Sequence, residues 1–236
     1  MLLATAILSL GAASSAWADG KEDRGSPGIL PPNSHPHGKT YGEWTAAWWQ
    51  WALSIPAPIN PLTDPTGEFA GVGQHGPVWF LAGTFGNSAE RTFSVPTGKT
   101  IFLPVFNWIF GASVFDCDPT VPGVPCDIAD LRATAAANTL NAETVEVWID
   151  NVPVKNIRNY RAYSPVPFPV TYPEDSVIGV PSGTYYPQIS DGYWLMLTPM
   201  TKGLHTIQVH VKASNTSSGP IEFTLLLHLN IVPGAR

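Results

Sequence analysis

Charge is scarce in this chain. Of its 236 residues only 12 are Lys or Arg, against 18 Asp or Glu, and charged residues make up 13% of the total. The basic residues are scattered singly, so the cationic clusters that grip nucleic acid or anionic membranes are missing and neither partner is expected. Cysteine is scarcer still. Cys117 and Cys126 are the only two, too few for a zinc framework with no histidine beside them, and no metal or other cofactor is expected. Long apolar runs are also missing after Ala18, where none approaches the ~18 residues that span a bilayer, so no membrane span is expected. With no Cys near Ala18, and neither a hydrophobic tail nor a prenylation box in NIVPGAR, a lipid anchor is not expected. Catalytic signatures are missing too. There is no G-x-S-x-G elbow, H-E-x-x-H pair or P-loop, and no glycine loop leads from a strand into a helix as a dinucleotide site requires. Nucleotide chemistry and serine hydrolysis are therefore poor first readings.

What is present begins with an export signal. Residues 1–18 are almost wholly apolar or small and end Ala16-Trp17-Ala18, an A-x-A-like cleavage site followed by Asp19 and Lys21. Cleavage after Ala18 implies a secreted or periplasmic product. In that compartment Cys117 and Cys126, the ends of a short Pro- and Gly-rich loop, are expected to form a local disulfide. Asp116, Asp118, Asp127 and Asp130 flank the loop without the spacing of a calcium-binding loop and read as a solvated acidic surface. Residues 19–39 mix charge with Gly, Pro and Ser without periodicity and read as a flexible leader. Residues 40–236 then read as one domain.

The densest feature is Thr40 to Ile55, TYGEWTAAWWQWALSI. Thr40 and Glu43 have capping-box spacing, and Pro56 stops the helix. Tyr41, Trp44, Trp48, Trp51, Ala52 and Ile55 share one apolar stripe, while Trp49 falls outside it, beside Leu53. Asp127 to Leu140 reads as a short Ala-rich helix capped by Asp127. Val78 to Ala82, Arg91 to Val95 and Thr100 to Val105 read as strands. So do Thr144 to Asp150, Val154 to Ala162, Tyr193 to Thr198, His205 to Ala213 and Ile221 to Val232, with strict alternation in the last two. Many strands with two helices predict an all-β fold, a β-sandwich of jelly-roll-like form carrying one Trp-rich and one Ala-rich helix.

The runs YGEWTAAWWQWALSIP, NPLTDPTGE and GQHGPVWFLAGTFG, with VPTGKTIFLPVFNW and DGYWLMLTPMTKGLHTIQV after them, give the chain a resemblance. It resembles a group of secreted bacterial proteins for which no activity is known. That resemblance spans roughly Tyr41 to Val209 and implies export and a single compact domain.

Candidate site residues follow from residue chemistry. His75 sits between glycines in Gly73-Gln74-His75-Gly76, a turn that presents Gln74 and His75 together. Glu68 lies in the long loop before it with no evident capping role, unlike Glu43, Asp64 or Asp191. Trp49 offers a flat ring for stacking, with Gln50 beside it, and Tyr185-Tyr186 offer another. Buried packing is the competing reading for all of these rings. His35 and His37 lie in the leader, and register keeps His210 and His228 apart on the solvent side of their strands. The expectation is a non-catalytic module that binds an extracellular small molecule or glycan through Trp49, Gln50, Glu68, Gln74 and His75. The alternatives are an extracellular polymer hydrolase using Glu68 and His75 and a surface assembly protein that self-associates through edge strands.

Overall fold

The computed structural model of the chain describes residues 28–113, 117 and 126–234. The signal segment 1–18 and the first part of the leader, 19–27, lie outside the described residues. Among the described residues, ten strands form two five-stranded sheets. The first contains β1 (Val78–Phe80), β3 (Thr100–Gly111), β8 (Gly183–Leu197), β6 (Arg161–Tyr163) and β7 (Phe168–Tyr172). Its order is β1-β3-β8, with β6 and β7 following one another along the far edge of β8. The second runs β2 (Ala89–Pro96), β10 (Ile221–Val232), β9 (Gly203–Ala213), β4 (Ala142–Ile149) and β5 (Val152–Pro153). Two α-helices, α1 (Tyr41–Ser54) and α2 (Ile128–Leu140), complete the fold.

The sandwich core is built by alternation. Ile207, Val209 and Val211 of β9 meet Leu225, Leu227 and Leu229 of β10, and both sets face Leu103, Leu195 and Leu197 of the first sheet. The opposite face of the first sheet is apolar as well. Phe102, Trp194 and Met196 point there and pack against α1. β8 is therefore buried on both faces from Pro187 to Leu197, the pattern of a central strand with a layer on each side. The result is three layers: α1 on the first sheet, and that sheet on the second.

Local signals in the sequence explain where α1 starts and stops. The Thr40 Oγ1 accepts from the Glu43 N–H while Glu43 Oε2 accepts from the Thr40 N–H, a closed capping box. The helix ends at Ser54, with Ile55 extended before Pro56. Asp127 caps α2 through the N–H groups of Ala129 and Asp130. The Cys117–Cys126 disulfide is present.

Three sequence expectations need correction. The leader is not free throughout: the Leu30 N–H donates to Met196 O at 2.8 Å, Ile29 bridges Leu197, and the Pro36 carbonyl accepts from the Trp44 indole. The packed body thus starts before Thr40, because apolar Ile29 and Leu30 pair with the edge of β8 at Met196 and Leu197. The strand expected over Val154 to Ala162 is broken by Asn156, in left-handed conformation at φ 56°, and a 3-10 turn. Strand β8 begins at Gly183, ten residues before the expected start at Tyr193, because Gly183–Tyr186 stay at the surface while Pro187–Gly192 are buried on both faces, and neither stretch alternates.

Candidate functional site

Strand β3 is the key to the site. Its register with β8 shifts between Pro104 and Phe106, a β-bulge at Val105. Before the bulge, odd-numbered Ile101 and Leu103 face the sandwich core. After it, even-numbered Phe106 and Trp108 do so, while Ile109 turns to the helix side. A further change occurs at the same level. β1 pairs with β3 only from Thr100 to Phe102, so beyond Phe102 that edge of β3 has no neighbouring strand among the described residues. The chain leaves β1 through Gly83–Gly86 and joins the second sheet as β2, parallel to β10. Pro104, which brings no N–H, sits at the start of this open edge, where proline is tolerated.

A cavity of about 260 Å³ occupies the space that β1 leaves. From the helix side it is walled by Trp48, Trp49 and Leu53, and from the bulged strand by Val105, Phe106 and Trp108. Phe223 and Leu225 of β10 close it from the second sheet, and Thr84, Phe85 and Gly86 stand over it. Phe85 is 47% exposed, so an aromatic ring marks the mouth. The walls are mostly apolar, the usual character of a small-molecule site.

Polar side chains at the walls are few: the indoles of Trp48, Trp49 and Trp108, the Asn107 amide, and the Thr84 and Ser218 hydroxyls. Of the four tryptophans of α1, three donate their indole N–H to loop carbonyls: Trp44 to Pro36, Trp48 to Leu81 and Trp51 to Val72. Trp49 does not. Its N–H is buried without a partner in the protein, as are the Trp108 N–H and the Asn107 side-chain amide nitrogen. Trp79 and Trp194 also lack indole partners, but neither borders the cavity. A buried donor without an acceptor costs about 1–3 kcal/mol. Three such donors on residues that wall one cavity suit an occupant bearing an acceptor.

Arg91 holds the cover of this cavity. It is 4% exposed on β2, and its guanidinium donates to the carbonyls of Ala82, Gly83 and Leu62 at 3.1, 2.9 and 3.1 Å. Burial lowers its pKa from the ordinary value, while the nearby Asp64 carboxylate acts in the opposite direction. Asp64 itself shapes the preceding loop through the N–H groups of Thr66 and Phe69 at 2.8 Å each. Burial opposes its ionisation, but those donors outweigh it and hold the carboxyl below the usual range.

The residues singled out in the sequence are distributed differently from the expectation. Trp49 is the correction with most consequence: it is 7% exposed and stands edge-on to Trp48 with centroids 4.9 Å apart. It is therefore no surface stacking platform but a wall of the internal cavity. Gln50 is exposed and donates to Pro169 O. The Gln74 side chain bonds both the N–H and the carbonyl of Phe80, so it fixes the turn into β1. Glu68 and His75 are exposed, neither borders the cavity, and no hydrogen bond or ion pair joins them. Gly71, Gly73 and Gly76 have G-x-G-x-x-G spacing, yet the segment turns into β1 rather than a helix, so it builds no phosphate cradle. Tyr185 packs edge-on against Tyr172, and Tyr186 is exposed.

Sequence reasoning did not find the bulge, Asn107, Trp108 or Arg91. A signal was available for one of them. Within Arg91 to Val95, the stretch that reads as a strand, Arg91 is the one charge among apolar and hydroxyl-bearing residues, and a charge in such a setting asks for buried acceptors. Among the described residues no helix is long and apolar enough to cross a membrane, and no group of three His, Cys, Asp or Glu could hold a metal. The disulfide fits an oxidising compartment. No known protein family, curated protein or solved structure matches the chain.

Proposed function

We propose that this protein is an extracytoplasmic, non-catalytic binding domain for a small and largely apolar ligand that carries a hydrogen-bond acceptor. The observation that carries the reading is the cavity beside bulged β3, with the unpartnered donors of Trp49, Asn107 and Trp108 on its wall residues. Apolar walls favour hydrocarbon or aromatic surface over a sugar, whose hydroxyls need several donors and acceptors at once. Export through the N-terminal signal, and the resemblance to secreted proteins, belong to the same reading. Burying about 200 Å² of apolar ligand surface at ~25 cal/mol per Å² gives about 5 kcal/mol, which places Kd on the order of 0.1 mM before hydrogen bonds contribute.

Acetophenone, an aromatic ring with one carbonyl acceptor, is a suitable probe. At about ten times Kd it stabilises the native state by ~1.4 kcal/mol and raises Tm by about 3–6 °C. Trp108→Phe keeps a ring in place but removes one donor, and it is expected to halve that rise or more. A rise with oligosaccharides and none with acetophenone would overturn the apolar-ligand reading in favour of a glycan site on the surface.

A further inference from the structure

A second cleft, of about 380 Å³, lies on the outer face of the first sheet under α2 and shares no wall residue with the cavity beside β3. Two guanidinium groups reach it from different elements: Arg132 from the first turns of α2 and Arg161 from β6. Ala136, one turn after Arg132 on the same helix face, is small and leaves the space between helix and sheet open.

The two arginines have different roles. Arg161 is engaged: its Nε and Nη2 form a fork on Asp191 at 2.9 and 2.7 Å, and the pair raises the guanidinium above its ordinary value. That fork neutralises both charges and leaves the Arg161 Nη1 donors uncommitted to it. Arg132 donates to two neutral acceptors, Ser164 O at 2.8 Å and Pro165 O at 3.0 Å, and stands 5.9 Å over the Tyr163 ring. No carboxylate pairs with it among the described residues. The cleft therefore carries a net single positive charge. Arg132 is held by backbone acceptors in one orientation, so a ligand does not have to order it.

A third group makes the cleft more than a charged surface. Ser190 lines it, is 0% exposed, and its hydroxyl has no hydrogen-bond partner. Its backbone is fully used, the N–H by Ser164 Oγ and the carbonyl by the Ser164 N–H. Tyr163, 56% exposed, stands at the rim. Spare donors thus come from Arg132, Arg161 and Ser190, a flat ring is present, and the one carboxylate in the cleft is already satisfied.

From this arrangement we infer that the Arg132–Arg161–Ser190 cleft is a binding site for a monoanionic carboxylate, with the ligand body resting on the Tyr163 ring. A single net charge matches one carboxylate, and guanidinium donors match its two oxygens. Either a uronic-acid unit of a glycan or a free aromatic acid supplies that chemistry.

The test titrates the full mature chain at constant ionic strength with glucuronate and benzoate, and with their neutral counterparts glucose and benzyl alcohol, following backbone amide shifts by NMR. The carboxylates are expected to bind saturably with shifts centred on Arg132, Tyr163 and Ser190, about tenfold or more tightly than the neutral compounds. Arg132→Gln is expected to abolish this difference, and Ser190→Ala to weaken binding several-fold, while both leave the acetophenone response of the other cavity unchanged. Should Arg132→Gln unfold the chain, Tyr163→Ala reads the same site without touching a buried bond, and it is expected to weaken the body contact. Tighter binding of glucuronate assigns the site to uronic-acid glycans, and tighter binding of benzoate to free aromatic acids. Carboxylates that bind no better than their neutral counterparts, or affinity that survives both Arg132→Gln and Tyr163→Ala, would overturn the inference.

Discussion

Tyr41 joins three parts of the chain through one hydroxyl. It donates to Leu30 O at 2.6 Å and accepts from the Met196 N–H at 3.1 Å, so the docked leader, α1 and β8 meet at a single oxygen. Tyr41→Phe leaves both backbone groups without that partner and is expected to cost about 1–2 kcal/mol in urea unfolding. Burial drives the phenol pKa well above its usual range, against a smaller opposite effect of the Met196 N–H. The sign follows directly. The unfolded phenol loses its proton near 10 while the folded one keeps it, so this contribution is complete below pH 10 and declines above it. Tm of the wild type should therefore fall more steeply between about pH 10 and 11 than that of Tyr41→Phe. His205 is a second buried polar junction, between Asp150 Oδ2 at 2.6 Å and Thr201 O at 2.9 Å. The Thr201 hydroxyl also lies 3.3 Å from Nε2, so the ring is held from both sides. His205→Phe removes the Oδ2 partner of Asp150, whose Oδ1 keeps the Thr206 N–H, and is expected to lower stability by about 1–3 kcal/mol in urea unfolding. Legibility at this scale was uneven. The capping residues Thr40 and Asp127 were readable because their partners lie within three residues. The role of Trp49 was not, because helical periodicity tells which residues share a face but not what loops cover the other faces.

At the scale of elements, close approach decides how α1 sits. A Cβ on Gly42 would stand 2.2 Å from Tyr163 O, so glycine lets the helix contact β6 backbone to backbone. Gly42→Ala gains helix propensity but forces the helix off the sheet. A net loss of about 2 kcal/mol is expected by thermal unfolding, and a gain in stability would show that the helix has room to shift. Arg91 acts between elements. Arg91→Lys keeps a charge but cannot reach three carbonyls with a planar fork, and it should loosen Gly83–Gly86 over the cavity. The expected outcome is a destabilisation of about 2 kcal/mol with weakened acetophenone binding, measured by thermal shift. Strands β2, β4, β9 and β10 of the second sheet were legible because each has one buried face and alternates, whereas β5, two exposed residues, was not. Strand β3 was only half legible: its period-two pattern slips by one at Val105, the extra residue between Pro104 and Phe106 that has no counterpart in β8. The early part of β8 was hidden for a related reason: Gly183–Tyr186 stay at the surface and Pro187–Gly192 are buried on both faces, so neither stretch alternates.

For the molecule as a whole, an apolar helix layer over one sheet of a sandwich creates two buried interfaces, and the first sheet must be apolar on both sides. Composition, turn spacing and the tryptophan cluster made the β-sandwich and its helix readable, but not the gap where β1 ends and the chain crosses to the other sheet. That gap depends on where a three-residue strand stops along a twelve-residue neighbour, which no local pattern encodes. It is also where the binding account stands or falls. The most direct measurement is the indole ¹H–¹⁵N spectrum during titration with acetophenone, with signals assigned by Trp→Phe variants. The account predicts saturable shifts of the Trp49 and Trp108 indole N–H signals as their donors gain an acceptor. Trp79 and Trp194, equally unpartnered but away from the cavity, should stay in place. Stationary Trp49 and Trp108 signals at saturating probe, or equal movement of all four, would contradict it.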